Sequence, residues 1–254
     1  MKRIALVASE KREFDGLRRR LGGGAAAGLP VKFSWRLREG DTEWLLLADG
    51  QGVKAAARAC AAISSWKTLH AVGSIGYAGG LRPAWRVGAV LWGSEVQDRL
   101  TGEVFPCWIP QRVPEGVPEA STGPSGRVLT AERVIRHAAE KQRLGAEGAD
   151  IVEMEAAAVA RAVQELGEGG TVTRFFVVKA ITDSCDEDLA FDFDRARRLD
   201  GSIRAGSVLV QAFHQPLVRL PQLGKLARAA RLASDNLGAA LVAQFLGSRG
   251  EGAA

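Results

Sequence analysis

The chain predicts an α/β fold, on two observations. Short apolar runs of β type, at residues 4–8, 71–78 and 175–181, alternate with longer stretches at helical spacing. The 254 residues are 46% hydrophobic and 25% charged, enough apolar material for one large packed domain, or two small ones at most. That composition excludes wholesale disorder, and no apolar run approaches the roughly 20 residues that a membrane span needs.

Taken in order, residues 4–8 form an opening buried strand. The start is too short for a signal peptide and lacks a small-residue cleavage site, so a cytoplasmic location is expected. Residues 10–21 read as a helix. Residues 22–30, rich in glycine and ending at Pro30, predict a flexible loop without regular structure. Residues 44–49 are a strand closed by Gly50-Gln51-Gly52, and residues 53–66 an Ala-rich helix. A central strand at 71–78 and another at 87–96 follow. Residues 110–126 carry four prolines, the composition of a long surface loop of the kind that serves as a lid. Residues 127–130 predict a short strand, 131–143 a helix, 151–166 mainly helix and 175–181 a fully buried strand. After Pro216 the chain is almost all helical. There Leu223, Leu226, Ala230, Ala233 and Leu237 share one face, and Lys225, Arg228 and Arg231 recur on another. The division expected is one domain over residues 1–215 with residues 216–254 as its helical extension.

The formal charge is +5, but the cations are mostly interspersed with acids, so no nucleic-acid partner is expected. Cys60, Cys107 and Cys185 are far apart and odd in number, and His70, His137 and His214 are equally scattered. Neither a disulfide framework nor a metal site follows. Gly50-Gln51-Gly52-Val53-Lys54-Ala55 loosely matches a dinucleotide fingerprint. Residues 70–84 contain no Asp or Glu for the ribose, so the segment reads as an ordinary strand-to-helix turn, and no cofactor is expected.

The acids carry more information. Glu10 and Glu13 follow the first strand, Asp183 follows the last buried strand, and Glu153 and Glu155 flank Met154. Carboxylates at strand C-termini point into the crevice where α/β sheets bind ligands. The same residues would also serve as N-caps and first-turn acids facing helix dipoles. Spacing alone leaves both readings standing.

Three segments together resemble the nucleoside phosphorylase and nucleosidase family. They are Gly76-Tyr77-Ala78-Gly79-Gly80-Leu81 followed by Val87-Gly88-Ala89-Val90, then Val152-Glu153-Met154-Glu155-Ala156-Ala157-Ala158-Val159-Ala160, then Val177-Val178-Lys179-Ala180-Ile181-Thr182-Asp183. Glu13 and the turn at Gln51 match weaker N-terminal signatures. The resemblance implies a three-layer α/β/α fold around a twisted mixed sheet, mostly parallel, with a C-terminal helical appendage. It also implies cleavage of the bond between a purine and its ribose. Asp183 matches the acid that protonates the departing base, Glu155 the carboxylate that accepts both ribose hydroxyls, and Glu13 the residue that orients water, with Glu10 its alternative. Tyr77, Ala78, Gly79, Val134, Glu153, Met154, Thr182, Phe191 and Gln51 match the positions that line the substrate.

Some positions depart from the family pattern. Tyr77 stands where a small hydroxyl residue is usual, Val134 replaces a stacking aromatic, and Phe191 is placed to supply the missing aromatic face. Ser74 stands where a phosphorylase carries its phosphate-binding Arg, which favours water over phosphate as nucleophile, while Arg82 and Arg86 keep phosphate as an alternative. The expected substrate is a 5′-substituted adenosine of the methylthioadenosine or S-adenosylhomocysteine type. The tail is similar to that of a subgroup linked to adenosyl-hopanoid cleavage. Its basic amphipathic helix suits a membrane surface, a dimer interface or a cover for the core. A homodimer or higher homo-oligomer is expected, and a non-catalytic nucleoside-binding homologue is the reading from another class.

Overall fold

The computed structural model describes residues 1–64, 66, 69–110, 124–167, 173–191 and 216–246. Its strands are β1 (Lys2–Ala8), β2 (Ala25–Ala26), β3 (Phe33–Glu39), β4 (Thr42–Ala48), β5 (Ala71–Gly80), β6 (Val90–Asp98), β7 (Val104–Pro106), β8 (Ser125–Thr130), β9 (Ile151–Glu153) and β10 (Arg174–Asp183). The helices are α1 (Asp15–Leu21), α2 (Val53–Ile63), α3 (Ala138–Ala146), α4 (Ala156–Gly167) and α5 (Pro216–Leu246).

The strands form one mixed sheet in the order β10-β6-β8-β9-β5-β1-β4-β3-β2, with β7 on β6. β10 also pairs with β5, so β5, β10, β6, β8 and β9 close into a ring. The sheet is mixed: among the described residues, the longer pairings β1–β5, β5–β10 and β6–β8 are parallel, as is β1–β4, while the shorter pairings β10–β6, β5–β9, β6–β7 and β2–β3, together with β3–β4, are antiparallel. β1 is central in the open part, with Ile4 opposite Trp44 on one side and Ala71 on the other, both in parallel register. Its residues 4–8 are all buried, as a strand covered on both faces requires.

Two apolar layers sandwich the sheet. Ala56, Ala59, Cys60 and Ile63 of α2 join Ala157, Ala160 and Val163 of α4 on one face. Leu17 of α1 and Ala233, Leu237 and Leu241 of α5 cover the other. This is the three-layer α/β/α arrangement.

α5 lies directly on α1. A Cβ on Gly238 would stand 2.3 Å from the Gly16 carbonyl carbon, and one on Gly16 would stand 2.0 Å from the Ser234 carbonyl oxygen. Only a missing side chain permits that approach. Ser234 Oγ then accepts the Gly16 N–H at 2.9 Å and donates to the Arg12 carbonyl at 3.0 Å. Arg19 pairs with Asp235 at 2.5 Å on the rim.

Several local expectations need correction. Residues 10–21 are a single 3-10 turn (Lys11–Phe14) followed by α1, not one helix. Residues 22–30 contain the short strand β2, because Gly24, at φ +85°, fits against the Trp35 ring and lets the chain pair with β3. β3 itself is an outer strand, too polar for the apolar-run criterion, and turns into β4 around Gly40 at φ +56°. Residues 131–137 are not helical, since the Ala131 N–H is taken by the Glu153 carbonyl at 2.8 Å and α3 starts only after His137. Residues 151–153 are strand β9 rather than helix, held between β5 and β8. The expected loop at 110–126 lies mostly outside the described residues, and its last two residues belong to β8.

Candidate active site

A cavity of about 600 Å³ opens where β1, β5, β9 and β10 end. Each strand hands over its polar residue by a different local device. The chain leaving β1 makes a capping box, in which Glu10 caps the 3-10 turn and Glu13 returns its carboxylate to the Glu10 N–H at 2.8 Å. The other Glu13 oxygen accepts the Tyr77 N–H at 3.1 Å, at the end of β5. Gly76, at φ +131°, makes room: a Cβ there would stand 2.6 Å from Glu13 Oε1. Burial pushes the Glu13 carboxyl up from 4.5 to about 7, with the Glu10 N–H opposing and the Glu155 charge reinforcing the rise.

Glu153 and Glu155 divide the work between them. The Glu153 carboxylate caps α4, accepting the N–H groups of Glu155 at 3.0 Å and Ala156 at 2.9 Å. It also accepts the Thr130 hydroxyl at 2.6 Å and pairs with Lys179 at 2.9 Å. The Glu153 side chain is 0% exposed, and the helix N-terminus and Lys179 engage its carboxylate in the wall of the cavity. Glu155 is free of the cap. Its Oε1 accepts the Gly52 N–H at 2.8 Å, and the Ser9 hydroxyl reaches it too. Burial first, and then the Glu153 charge, raise its pKa against the pull of Lys179.

Asp183 ends β10. Its Oδ2 pairs with Lys141 at 2.6 Å and its Oδ1 accepts the Thr182 hydroxyl at 3.1 Å. Burial raises its pKa, and Lys141 opposes the rise. Lys179 is fully buried in β10, and burial by itself disfavours its charge. The charges of Glu153, Glu155 and Glu13 outweigh that and hold it protonated.

Glu10, Glu13, Gln51, Tyr77, Ala78, Gly79, Val134, Glu153, Met154, Glu155, Thr182 and Asp183 all line this one cavity, although they come from six separated stretches of chain. Phe191 does not. It is fully buried and is not part of the lining, to which its neighbour Leu189 contributes. Tyr77 turns its hydroxyl to Ser234, so the unusual residue at this position ties α5 to the site.

Sequence reasoning missed three features. Lys179 was detectable as a lone cation inside an otherwise apolar strand. Lys141 was not, because it sits in a polar stretch that reads as a solvated helix face. The tail was expected to be amphipathic, yet its Leu223, Leu226, Ala227 and Ala230 form a side of the cavity together with Val134, Ile135 and Leu189. Arg12 and Arg133 also reach the lining, whereas Arg82 faces Asp150 at 3.4 Å and, like Arg86, stands outside it. Ser74 is fully buried, and its hydroxyl finds no hydrogen-bond partner among the described residues.

Buried carboxylates from three strand ends are gathered around one concave and largely apolar cavity, the arrangement in which enzymes hold small molecules. The chain belongs to the phosphorylase superfamily, whose family model matches residues 4–214, and it is an enzyme of the nucleosidase or nucleoside phosphorylase kind. Solved structures share the fold. A 5′-methylthioadenosine/S-adenosylhomocysteine nucleosidase from Neisseria meningitidis, in complex with methylthio-immucillin-A, aligns over 98% of this chain and 100% of its own at a TM-score of 0.68 and 18% identity. The corresponding Helicobacter pylori enzyme aligns over 96% and 97% at a TM-score of 0.69 and 12% identity. An S-adenosylhomocysteine nucleosidase from Streptococcus pyogenes, in complex with 5-methylthiotubericidin, aligns over 94% and 96% at a TM-score of 0.65 and 18% identity. No curated protein sequence matches the chain. Among the described residues, no helix is long and apolar enough to cross a membrane.

Proposed function

We propose that this enzyme cleaves the N-glycosidic bond of a purine nucleoside by hydrolysis, and that its substrate is a 5′-substituted adenosine. The observation that carries the reading is the meeting of Glu13, Glu155 and Asp183 around one cavity. Breaking a purine–ribose bond leaves a cationic, oxocarbenium-like sugar and an anionic base, so it needs an acid on one side and carboxylates on the other. Asp183, whose pKa burial raises, protonates the base as it leaves. Glu155 accepts the ribose hydroxyls and anchors the sugar as positive charge develops. Glu13, poised to ionise near neutrality, orients and deprotonates water. The fixed geometry of Glu13, held by two backbone N–H groups, supports it over Glu10, which pairs with Arg12 at 2.8 Å.

Water is favoured as the nucleophile because Ser74 and Arg82 lie outside the cavity lining. Phosphorolysis is the second reading, and Arg12 and Arg133 in the lining are the observation that favours it. The apolar side formed by α5 supports an apolar 5′ group, which suits a methylthio substituent and extends to the larger adenosyl-hopanoid alternative. A cytoplasmic homo-oligomer remains part of this proposal.

Release of free base from a panel of purine nucleosides, with and without phosphate, tests the reading. Free 5-methylthioribose from 5′-methylthioadenosine in phosphate-free buffer is the expected result. Strict phosphate dependence with a sugar 1-phosphate product would transfer the assignment to phosphorolysis. No release from any nucleoside, despite measurable binding, would favour the non-catalytic homologue.

A further inference from the structure

Lys141 lies on α3, outside the stretches that resemble the family, yet its side chain is 0% exposed. Its ammonium group has three N–H donors, and each has an acceptor: Asp183 Oδ2 at 2.6 Å, the Ser184 carbonyl at 3.0 Å and the Glu187 carbonyl at 2.9 Å. An isolated cation does not stay buried without such compensation. The acceptors are the carboxylate that ends β10 and the turn that follows it. We propose that Lys141 is a positioning residue for the chemistry at Asp183, fixing Oδ2 so that Oδ1, beside Thr182, meets the leaving base, and pairing the carboxylate that forms when the proton departs.

This inference rests on the hydrolytic reading, in which Asp183 is the acid. In that step the O–H bond of Asp183 breaks, a purine N–H bond forms, and the C–N bond electrons go to the base. Asp183 is left as a buried anion and takes a proton back from water after product release. Without Lys141 that anion would be uncompensated, so Asp183 would release its proton less readily. Of the other charged groups, Glu187 acts on Asp183 from the following turn, and Glu10, Arg12, Glu13, Arg133, Glu153 and Glu155 line the same cavity. None of these offers a cation in contact with Oδ2.

The experiment compares full-length wild type with Lys141→Met and Lys141→Arg on 5′-methylthioadenosine, as kcat and kcat/KM from pH 5 to 10. Activity needs protonated Asp183, so it declines as pH rises through the Asp183 value. Removing the cation raises that value. Lys141→Met is therefore expected to lose about 10-fold or more in kcat and to shift its alkaline limb upward by about one pH unit or more. Lys141→Arg retains the charge, so its limb should stay in place even if geometry costs some rate. In an Asp183→Asn background, Lys141→Met should cost nothing further, as expected for a residue that acts only through Asp183. A limb that does not move in Lys141→Met, a limb that moves equally in Lys141→Arg, or a full additional loss in the Asp183→Asn background would each overturn the proposal. If Lys141→Met does not fold, Lys141→Arg and the wild-type profile still decide it: a limb displaced with the charge retained counts against the proposal. A wild type that releases no base from any nucleoside would instead bring down the hydrolytic reading.

Discussion

Glu155 reaches from the start of α4 to the start of α2, where its Oε1 accepts the Gly52 N–H at 2.8 Å. One hydrogen bond thus joins two helices on the same face of the sheet and fixes the orientation of the carboxylate proposed to hold ribose. Gly52 sits at φ +90°, a backbone conformation that side-chain residues adopt with strain, and this is what presents its N–H to Glu155. The Gly50-Gln51-Gly52 turn thus gives its Gly52 N–H to a carboxylate of the protein itself.

Replacing Glu155 with Gln is expected to keep the bond to Gly52 but lose the charge offered to the sugar. The cost of a charged hydrogen bond, about 1.5–3 kcal/mol, corresponds to a roughly 10–150-fold drop in kcat/KM for ribosides. Wild type should already discriminate against 2′-deoxyribosides. Equal rates on both sugar types would remove Glu155 from this role.

Asp183→Asn preserves shape but has no proton to give. Turnover is expected to fall by about 10² or more while thermal unfolding shows a folded protein. An Asn variant that cleaves purine nucleosides at a near-native rate would rule out Asp183 as the acid.

Glu13 links stability to pH. Its carboxyl ionises at about 7 in the folded chain against 4.5 for the ordinary group, so the folded state holds this proton more tightly than the unfolded one. The resulting stabilisation is fully present below pH 4.5 and is lost as pH rises through about 7, a difference of about 3 kcal/mol. Urea denaturation at pH 5 and pH 8 should show the decline, and Glu13→Gln should flatten it. The same variant should remove the rise in kcat/KM on the acid side, where wild type gains its base.

Gly238→Val would drive a side chain into the Gly16 backbone, where a Cβ already comes within 2.3 Å. Overpacking costs about 1–3 kcal/mol even where side chains can give way, and backbone cannot. The expected outcome is a lower Tm and a displaced α5. KM should rise more for 5′-substituted nucleosides than for adenosine, since α5 supplies Leu223, Leu226, Ala227 and Ala230 to the cavity. Gly224→Ala on the same helix meets nothing within 4 Å and should stabilise by about 0.5–1 kcal/mol. A Gly238→Val variant as stable as wild type would contradict the close packing of the two helices.

The strands buried on both faces were the most legible parts of the chain. β1, β5 and β10 read as apolar runs because a covered strand tolerates no polar side. β3 and β2 escaped notice because outer strands carry mixed residues. Residues 131–137 and 151–153 have local helical propensity, but Ala131 bonds to Glu153 and residues 151–153 pair with β5 and β8, partners that local propensity does not report. The carboxylates stood out by position, but Glu153 and Glu155, two residues apart, could not be assigned different duties from spacing alone. The cap on α4 separates them: Glu153 engages the helix N-terminus and Lys179, whereas Glu155 accepts the Gly52 N–H at the start of α2.

The sequence by itself determined the fold class, the family resemblance and the candidate acids Glu13, Glu155 and Asp183, because apolar periodicity and short motifs are local properties of a chain. Only the tertiary structure decided what surrounds those acids. It buried Phe191 outside the lining, brought Lys141 from α3 to Asp183, and laid α5 across α1 so that residues 223–230 form a side of the cavity. Contacts such as Lys141 to Asp183 or Ser234 to Gly16 join segments far apart in the chain. They exist because burying apolar surface brings those segments together, and a buried charge then finds its partner there.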